Sequence, residues 1–331
     1  MRAPARLGLY GLALVAVFAG AGFTANTVVP EETVQNWTEE TTVNDHAGDD
    51  MGTSESGHAM EDASLGLGLA QDGYQLTTVG APGQTGSEGE LSLTVIGPDG
   101  SPVTDFEPDH DKELHLIAVR ADGQHFRHVH PERDAEGAWS IPWEWQAAGS
   151  YRVFADFVPS EAGEGVTSST SVQVAGNYAP APPTEQVTTT TVDGFEVSVE
   201  GDLLAGESSA LTMTISRDGE PVTELEPYLG AFGHLVALRG GDLAYLHVHP
   251  HGEEPQAGET SGPQIVFEAT APTAGRYLLY LDFQVDGQVH TAPLVLDTTT
   301  GPGVGHDNGG ADSEGADSEG EQEEGGGHDH G

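Results

Sequence analysis

The sequence predicts an all-β chain built from two tandem β-sandwiches. Two observations predict it. The first is an internal repeat. His128-Val129-His130-Pro131 returns as His247-Val248-His249-Pro250, and each follows a further histidine, His115 or His234, by 13 positions. The flanks repeat as well, with Ala155-Asp156-Phe157 against Leu281-Asp282-Phe283. The second is alternation with period two, as in Leu91-Ser92-Leu93-Thr94-Val95 and Ser171-Val172-Gln173-Val174. Gly, Pro and Asp cluster between these runs, and no stretch carries a convincing 3.6-residue period with helix caps.

Taken in order, residues 1–25 begin with Arg2 and Arg6 and continue into an apolar run from Leu7 to Phe23. Such a segment fits a signal peptide or a short membrane anchor. Either puts the rest of the chain outside the cytoplasm. Residues 26–70 are polar and acidic, with few large apolar side chains, and read as a disordered linker. Asn36-Trp37-Thr38 is an N-glycosylation acceptor triplet there. The first sandwich is expected over 71–175 and the second over 184–298, with a Pro-rich linker over 176–183. Ala148-Gly149-Ser150-Tyr151 and Ala274-Gly275-Arg276-Tyr277 each place Gly-x-Tyr at the start of an apolar strand. That is the sequence form of a tyrosine corner in an immunoglobulin-like sandwich. Residues 299–331 form a Gly/Glu/Asp-rich tail containing His306, His328 and His330, also expected to be disordered.

Composition narrows the chemistry. The chain has 331 residues and no cysteine, which excludes disulfides, thiolate metal sites and thiol catalysis. A metal here must rest on imidazole and carboxylate. The formal net charge is −44, from 54 acidic and 10 basic residues. Ten acids lie in 26–70 and nine in 301–331, leaving 35 acidic against eight basic residues in 71–300. A surface of this sign repels nucleic acid and anionic lipid and attracts cations. The single lysine, Lys112, and the excess of Asp and Glu match a salt-adapted, halophilic protein.

Hairpin geometry brings the histidines together. Asp122-Gly123 suits the centre of a two-residue type I′ turn, which would pair Ala121 with Gln124. His115 then opposes His130, and Ile117 opposes His128, so all three imidazoles share one face. In the second unit a turn centred on Gly241-Asp242 sets His234 against His249 and Val236 against His247. A turn at Gly240-Gly241 would shift that register by one step. Three imidazoles on adjacent strands suit Zn²⁺ or Cu²⁺. The candidate metal residues are His115, His128, His130 and Asp156 in one unit and His234, His247, His249 and Asp282 in the other. Each aspartate would be a fourth ligand or would orient a histidine from behind. No catalytic residues are expected. Serines near the histidines lack a base-and-carboxylate arrangement, and no phosphate-binding glycine loop is present.

The segments Asp109–Ile117 through His128–Pro131, and Pro227–Val236 through His249–Pro250, resemble uncharacterised, heavy-metal-associated β-sandwich proteins that bacteria and archaea secrete or anchor. The resemblance spans about 71–298. More distantly the units resemble copper-resistance sandwiches of the CopC type, with their cupredoxin-like fold, though the N-terminal histidine brace of that group is absent. The resemblance implies copper or a related divalent metal.

The expectation is therefore an exported protein that binds Cu²⁺ or Zn²⁺ at the cell surface, for sequestration, tolerance or delivery, without turnover. The alternative is a tandem immunoglobulin-like surface interaction module whose histidines serve packing or a domain–domain contact, since the strand bearing His115 is apolar on both faces (Leu114, Leu116, Ala118 and Ile117, Val119) and its histidine face can be covered. A metal-dependent oxidoreductase is a lesser third reading.

Overall fold

The computed structural model describes residues 65–299 except 247, 253 and 257. The expected signal or anchor, nearly all of the first linker, the acidic tail and His247 lie outside the described residues. Of His249 only the backbone is described.

The described chain is all-β: no helix occurs among the described residues. The first repeat carries β1 (Ala70–Gln71), β2 (Tyr74–Gly80), β3 (Gly89–Ile96), β4 (Phe106–Glu107), β5 (Leu114–Arg120), β6 (Arg127–Val129), β7 (Glu132–Arg133), β8 (Ala138–Trp143), β9 (Gly149–Pro159) and β10 (Val166–Val174). The second carries β11 (Thr189–Val192), β12 (Phe195–Glu200), β13 (Ser208–Arg217), β14 (Glu220–Pro221), β15 (His234–Arg239), β16 (Tyr245–Leu246), β17 (Val248–Pro250), β18 (Gln264–Thr270), β19 (Arg276–Val285) and β20 (Gln288–Asp297).

Each repeat is a two-sheet sandwich. In the first, the sheet β1-β2-β3-β8-β7 covers the sheet β10-β9-β5-β6. In the second, β11-β12-β13-β18-β17 covers β16-β15-β19-β20. The pairings within these sheets are antiparallel. Alternation sets what each sheet buries. Leu91, Leu93 and Val95 of β3 meet Leu114, Leu116 and Ala118 of β5 in the first core. Leu211, Met213 and Ile215 of β13 meet Leu235 and Ala237 of β15 in the second. Both tyrosine corners are present: the Tyr151 hydroxyl donates to the Ala147 carbonyl at 2.9 Å, and Tyr277 to Thr273 at 2.8 Å. Together these features define tandem immunoglobulin-like sandwiches.

The other face of β5 is apolar too, and a third core explains it. Ile117, Val119 and Phe154 pack against Val236, Leu238 and Leu278 of the second repeat. The β5-β9 sheet of one sandwich thus lies on the β15-β19 sheet of the other, and β5 is buried along its whole length. Tyr280 stacks on Phe126 with ring centroids 3.9 Å apart and donates from its hydroxyl to the Gly123 carbonyl at 2.6 Å. Gly123 is required there twice over. Its φ is +79°, and a Cβ would stand 2.5 Å from the Leu278 side chain.

The β5–β6 turn differs from the expected type I′. Of its two proposed central residues only Gly123 has positive φ, and the closing bond runs from Gly123 N to Arg120 O at 2.7 Å. The turn is therefore centred on Ala121-Asp122, with Gly123 following in the left-handed region. Asp122 is held by other partners. Its carboxylate accepts from the buried Arg120 guanidinium at 2.7 and 2.8 Å and from Ala181 N at 2.7 Å. Arg120 also donates to Ala179 O at 3.2 Å. This pair straps the Pro-rich segment onto the first sandwich. His125, at φ +55°, absorbs the extra residue, and Ile117 still pairs with His128. In the second repeat Ala237 pairs with Leu246 and Leu238 with Tyr245, the register of the unshifted turn.

Candidate metal centre

His115 is the second residue of β5 and His128 lies in β6 opposite Ile117, two residues along from His115, while His130 sits just past the end of β6. Their imidazoles converge. His115 Nδ1 is 3.0 Å from His128 Nε2 and 3.1 Å from His130 Nε2. One nitrogen from each of the three lies within 4.8 Å of the others. This is the face that β5 turns toward the second repeat, so the cluster sits at the edge of the third core.

The outer nitrogens decide the tautomers. His115 Nε2 lies 2.9 Å from the Asp109 carbonyl oxygen, which can only accept, so Nε2 carries the proton. His128 Nδ1 lies 2.8 Å from Asp282 Oδ2, a carboxylate oxygen, so Nδ1 carries the proton. A neutral imidazole has one N–H. The facing pair, His115 Nδ1 and His128 Nε2, is then bare on both sides at 3.0 Å. Two lone pairs aimed at each other at that distance repel. A proton from His130 can relieve its own contact with His115 but not this one. Protonating His115 is opposed by burial, which, with the neighbouring His128, lowers its pKa to about 4. Burial followed by His128, His115 and Lys112 lowers His130 to about 2. Two things would resolve the conflict: a second proton on His128, balanced by the Asp282 carboxylate, or a divalent cation between the nitrogens. Ligands at about 2.0–2.1 Å from a tetrahedral metal stand about 3.3–3.4 Å apart, close to the spacing here. The donor set fits Zn²⁺ or Cu²⁺.

The structure brings Asp282 of the second repeat to His128, while Asp156, in β9 of the first, lines the same cavity and reaches Tyr245. Asp156 pairs with His115 along the sheet, and Asp282 with His234 in the same way. Both aspartates point out of their own sandwich. Asp156 Oδ1 accepts from Thr167 at 3.0 Å, and its Oδ2 accepts from the Tyr245 hydroxyl of the second repeat at 3.4 Å. Asp282 Oδ1 accepts from Thr291. Each repeat thus presents its central aspartate to the hairpin of the other.

His234 is buried and occupies the position equivalent to His115. Its Nε2 donates to the Tyr228 carbonyl at 2.7 Å, and burial lowers its pKa to about 4. Its ring centroid is 6.5 Å from that of His128 and 4.9 Å from that of His110. His249 has its backbone in β17, which crosses to the other sheet and pairs with β18. A cavity of about 140 Å³ lies among His110, His115, His128, Asp156, His234 and Tyr245. Burial and the Asp156 carboxylate push the Tyr245 phenol well above its usual range.

Sequence reasoning did not find the backbone carbonyls of Asp109 and Tyr228, which set the tautomers, nor Tyr245. Bonds to carbonyls leave no mark in side-chain identity. The neighbouring turns do leave one: His110 and Asp111 both adopt positive φ, at 46° and 62°. His290 is separate from the centre, its Nδ1 2.9 Å from the Asp193 carboxylate. His125 faces a different groove beside Trp145.

Fold and site together define a tandem immunoglobulin-like protein with an imidazole cluster where its two sandwiches meet. Residues 69–176 and 190–300 each match one family model, a domain of unknown function, DUF8832, and the chain belongs to that family. No curated protein matches it. Among solved structures, a mutant alpha-2-macroglobulin of Salmonella is similar over 70% of this chain and 15% of its own, at 13% identity and a TM-score of 0.24. Invasin, described as a bacterial integrin-binding protein, is similar over 69% of this chain and 39% of its own, at 14% identity and a TM-score of 0.21. The D0-D1 domain of intimin is similar over 68% of this chain and 97% of its own, at 10% identity and a TM-score of 0.19. The chain spans well under half of the first two.

Proposed function

We propose that the protein is an exported binder of a divalent transition metal, Cu²⁺ or Zn²⁺, which it holds at the cell surface through His115, His128 and His130. The observation that carries this reading is the convergence of one nitrogen from each of the three imidazoles within 4.8 Å, with the outer nitrogens of His115 and His128 facing fixed acceptors. The acidic surface supports it by raising the local concentration of cations. Arg2, Arg6 and the apolar run that follows support an exterior location. The role is sequestration, tolerance or delivery, and none of these requires turnover.

The test is metal analysis of the full chain after dialysis, with His46, His58, His306, His328 and His330 replaced by Ala so that residues outside the sandwiches contribute no imidazole. The expected result is bound Zn²⁺ or Cu²⁺, with one equivalent lost in His128→Ala/His130→Ala. Absence of metal from the parent protein at neutral pH would exclude the reading.

A second reading has support of its own. The tandem immunoglobulin-like architecture suits a surface interaction module, and the His128–Asp282 bond joins the two repeats without any metal. On that reading the double histidine variant loosens the docking of the sandwiches and changes no metal content.

A further inference from the structure

Asp282 belongs to the second sandwich, yet its partner is in the first. Its Oδ2 accepts from His128 Nδ1 at 2.8 Å, with the two side chains 4% and 5% exposed. We propose that the metal centre of the first repeat is completed by the second: Asp282 is the positioning residue that holds His128 as a ligand, and cation binding is linked to the docking of the two sandwiches. The inference rests on the metal-binding reading above.

Three observations carry it. Both oxygens of Asp282 are engaged, Oδ1 by Thr291 and Oδ2 by His128, so the carboxylate cannot swing away. It fixes a proton on His128 Nδ1 and turns Nε2 toward His115, and such a carboxylate bond to the outer nitrogen raises the basicity of a ligating imidazole. The strand that presents Asp282 is also a wall of the shared core. Leu278 and Tyr280 point from β19 to the same side and meet Ile117, Val119 and Phe126 of the first repeat. Parting the sandwiches would take Asp282 from His128 and wet that face in one movement. A cation bound only in the docked state therefore stabilises docking by mass action. Asp156 supplies an internal control. It stands at the equivalent sheet position, opposite His115, with Thr167 where Asp282 has Thr291, and it reaches Tyr245.

The experiment uses the full chain with His247→Ala/His249→Ala and the five histidines outside the sandwiches replaced as above, so that the first centre remains. Zn²⁺ affinity is measured by competition with a chelator, and Co²⁺ serves as the spectroscopic probe. Asp282→Asn should weaken Zn²⁺ binding about 10- to 100-fold and shift the visible Co²⁺ bands. Asp282→Glu should recover part of both, and Asp156→Asn, whose carboxylate is not bonded to His128, should cost clearly less than Asp282→Asn. Parent affinity and spectrum in Asp282→Asn, or an equal loss in Asp156→Asn, would overturn the proposal. If Asp282→Asn does not fold, the long-range ¹H–¹⁵N spectrum of the parent protein decides. A proton on His128 Nδ1 is expected, and a proton on Nε2 would overturn the proposal. A parent chain that takes up no Zn²⁺ removes the metal reading and this inference together. Tight binding indifferent to Asp282 removes this inference alone.

Discussion

A histidine can offer a metal one nitrogen only if something else holds its proton on the other. At His115 that partner is the Asp109 carbonyl, and at His128 it is Asp282. The three histidines and two aspartates were readable from their repeated spacing. Which aspartate serves which histidine was not. Along the sheet Asp156 stands opposite His115, so sequence assigns it to the first unit. Only the packing of one sandwich on the other brings Asp282 across. The buried imidazoles also carry a pH signature. His115 and His234 titrate near 4 in the folded protein, against about 6.5 for free histidine. The unfolded chain therefore binds more protons between those values, so stability is whole above about pH 6.5 and falls as pH drops toward 4. In metal-free protein, the stability advantage of the parent over His115→Asn/His234→Asn should shrink across that window, as measured by urea unfolding. An advantage constant from pH 7 to 4 would contradict the burial of neutral imidazoles.

At the scale of the strand, alternation gave the inner face of β3, and hairpin arithmetic gave the pairing of Ile117 with His128. The apolar outer face of β5 announced a cover but not its identity. A second face of Ile and Val reads the same whether it meets a helix, a partner or a sister domain. The turn departs from type I′ where Asp122 is engaged by Arg120 and by Ala181 of the strap, the latter 59 residues away in sequence. The tip of that turn touches β19, and this can be tested. Gly123→Ala should destabilise the protein by at least about 1–2 kcal/mol from the left-handed conformation alone, with the clash against Leu278 adding to it. An unfolding midpoint equal to the parent's would mean that the tip does not dock. Ile117 is fully buried against the second repeat, so Ile117→Ala should cost about 2–5 kcal/mol, as much as a truncation inside either sandwich. A loss well below 1 kcal/mol would show that this face is open.

For the whole molecule, the repeat in sequence suggested two independent sandwiches, each with its own site. Among the described residues the His115–His128–His130 cluster draws on both repeats through Asp282, and a continuous apolar core joins them, while His247 and the His249 side chain of the second expected site lie outside the described residues. Charge acts at this scale as well. With 35 acidic and eight basic residues over 71–300, self-repulsion opposes compaction and salt screens it. The melting temperature should rise between dilute buffer and molar KCl, and a flat or falling trend would count against salt adaptation. The imidazole cluster between the sandwiches is proposed to hold a metal. The most direct test is anomalous scattering from crystals grown with Zn²⁺ or Cu²⁺ and recorded at the metal's absorption edge. The account predicts a peak about 2.0–2.1 Å from His115 Nδ1, His128 Nε2 and His130 Nε2. An empty cluster, with metal only at carboxylates on the acidic surface, would contradict it.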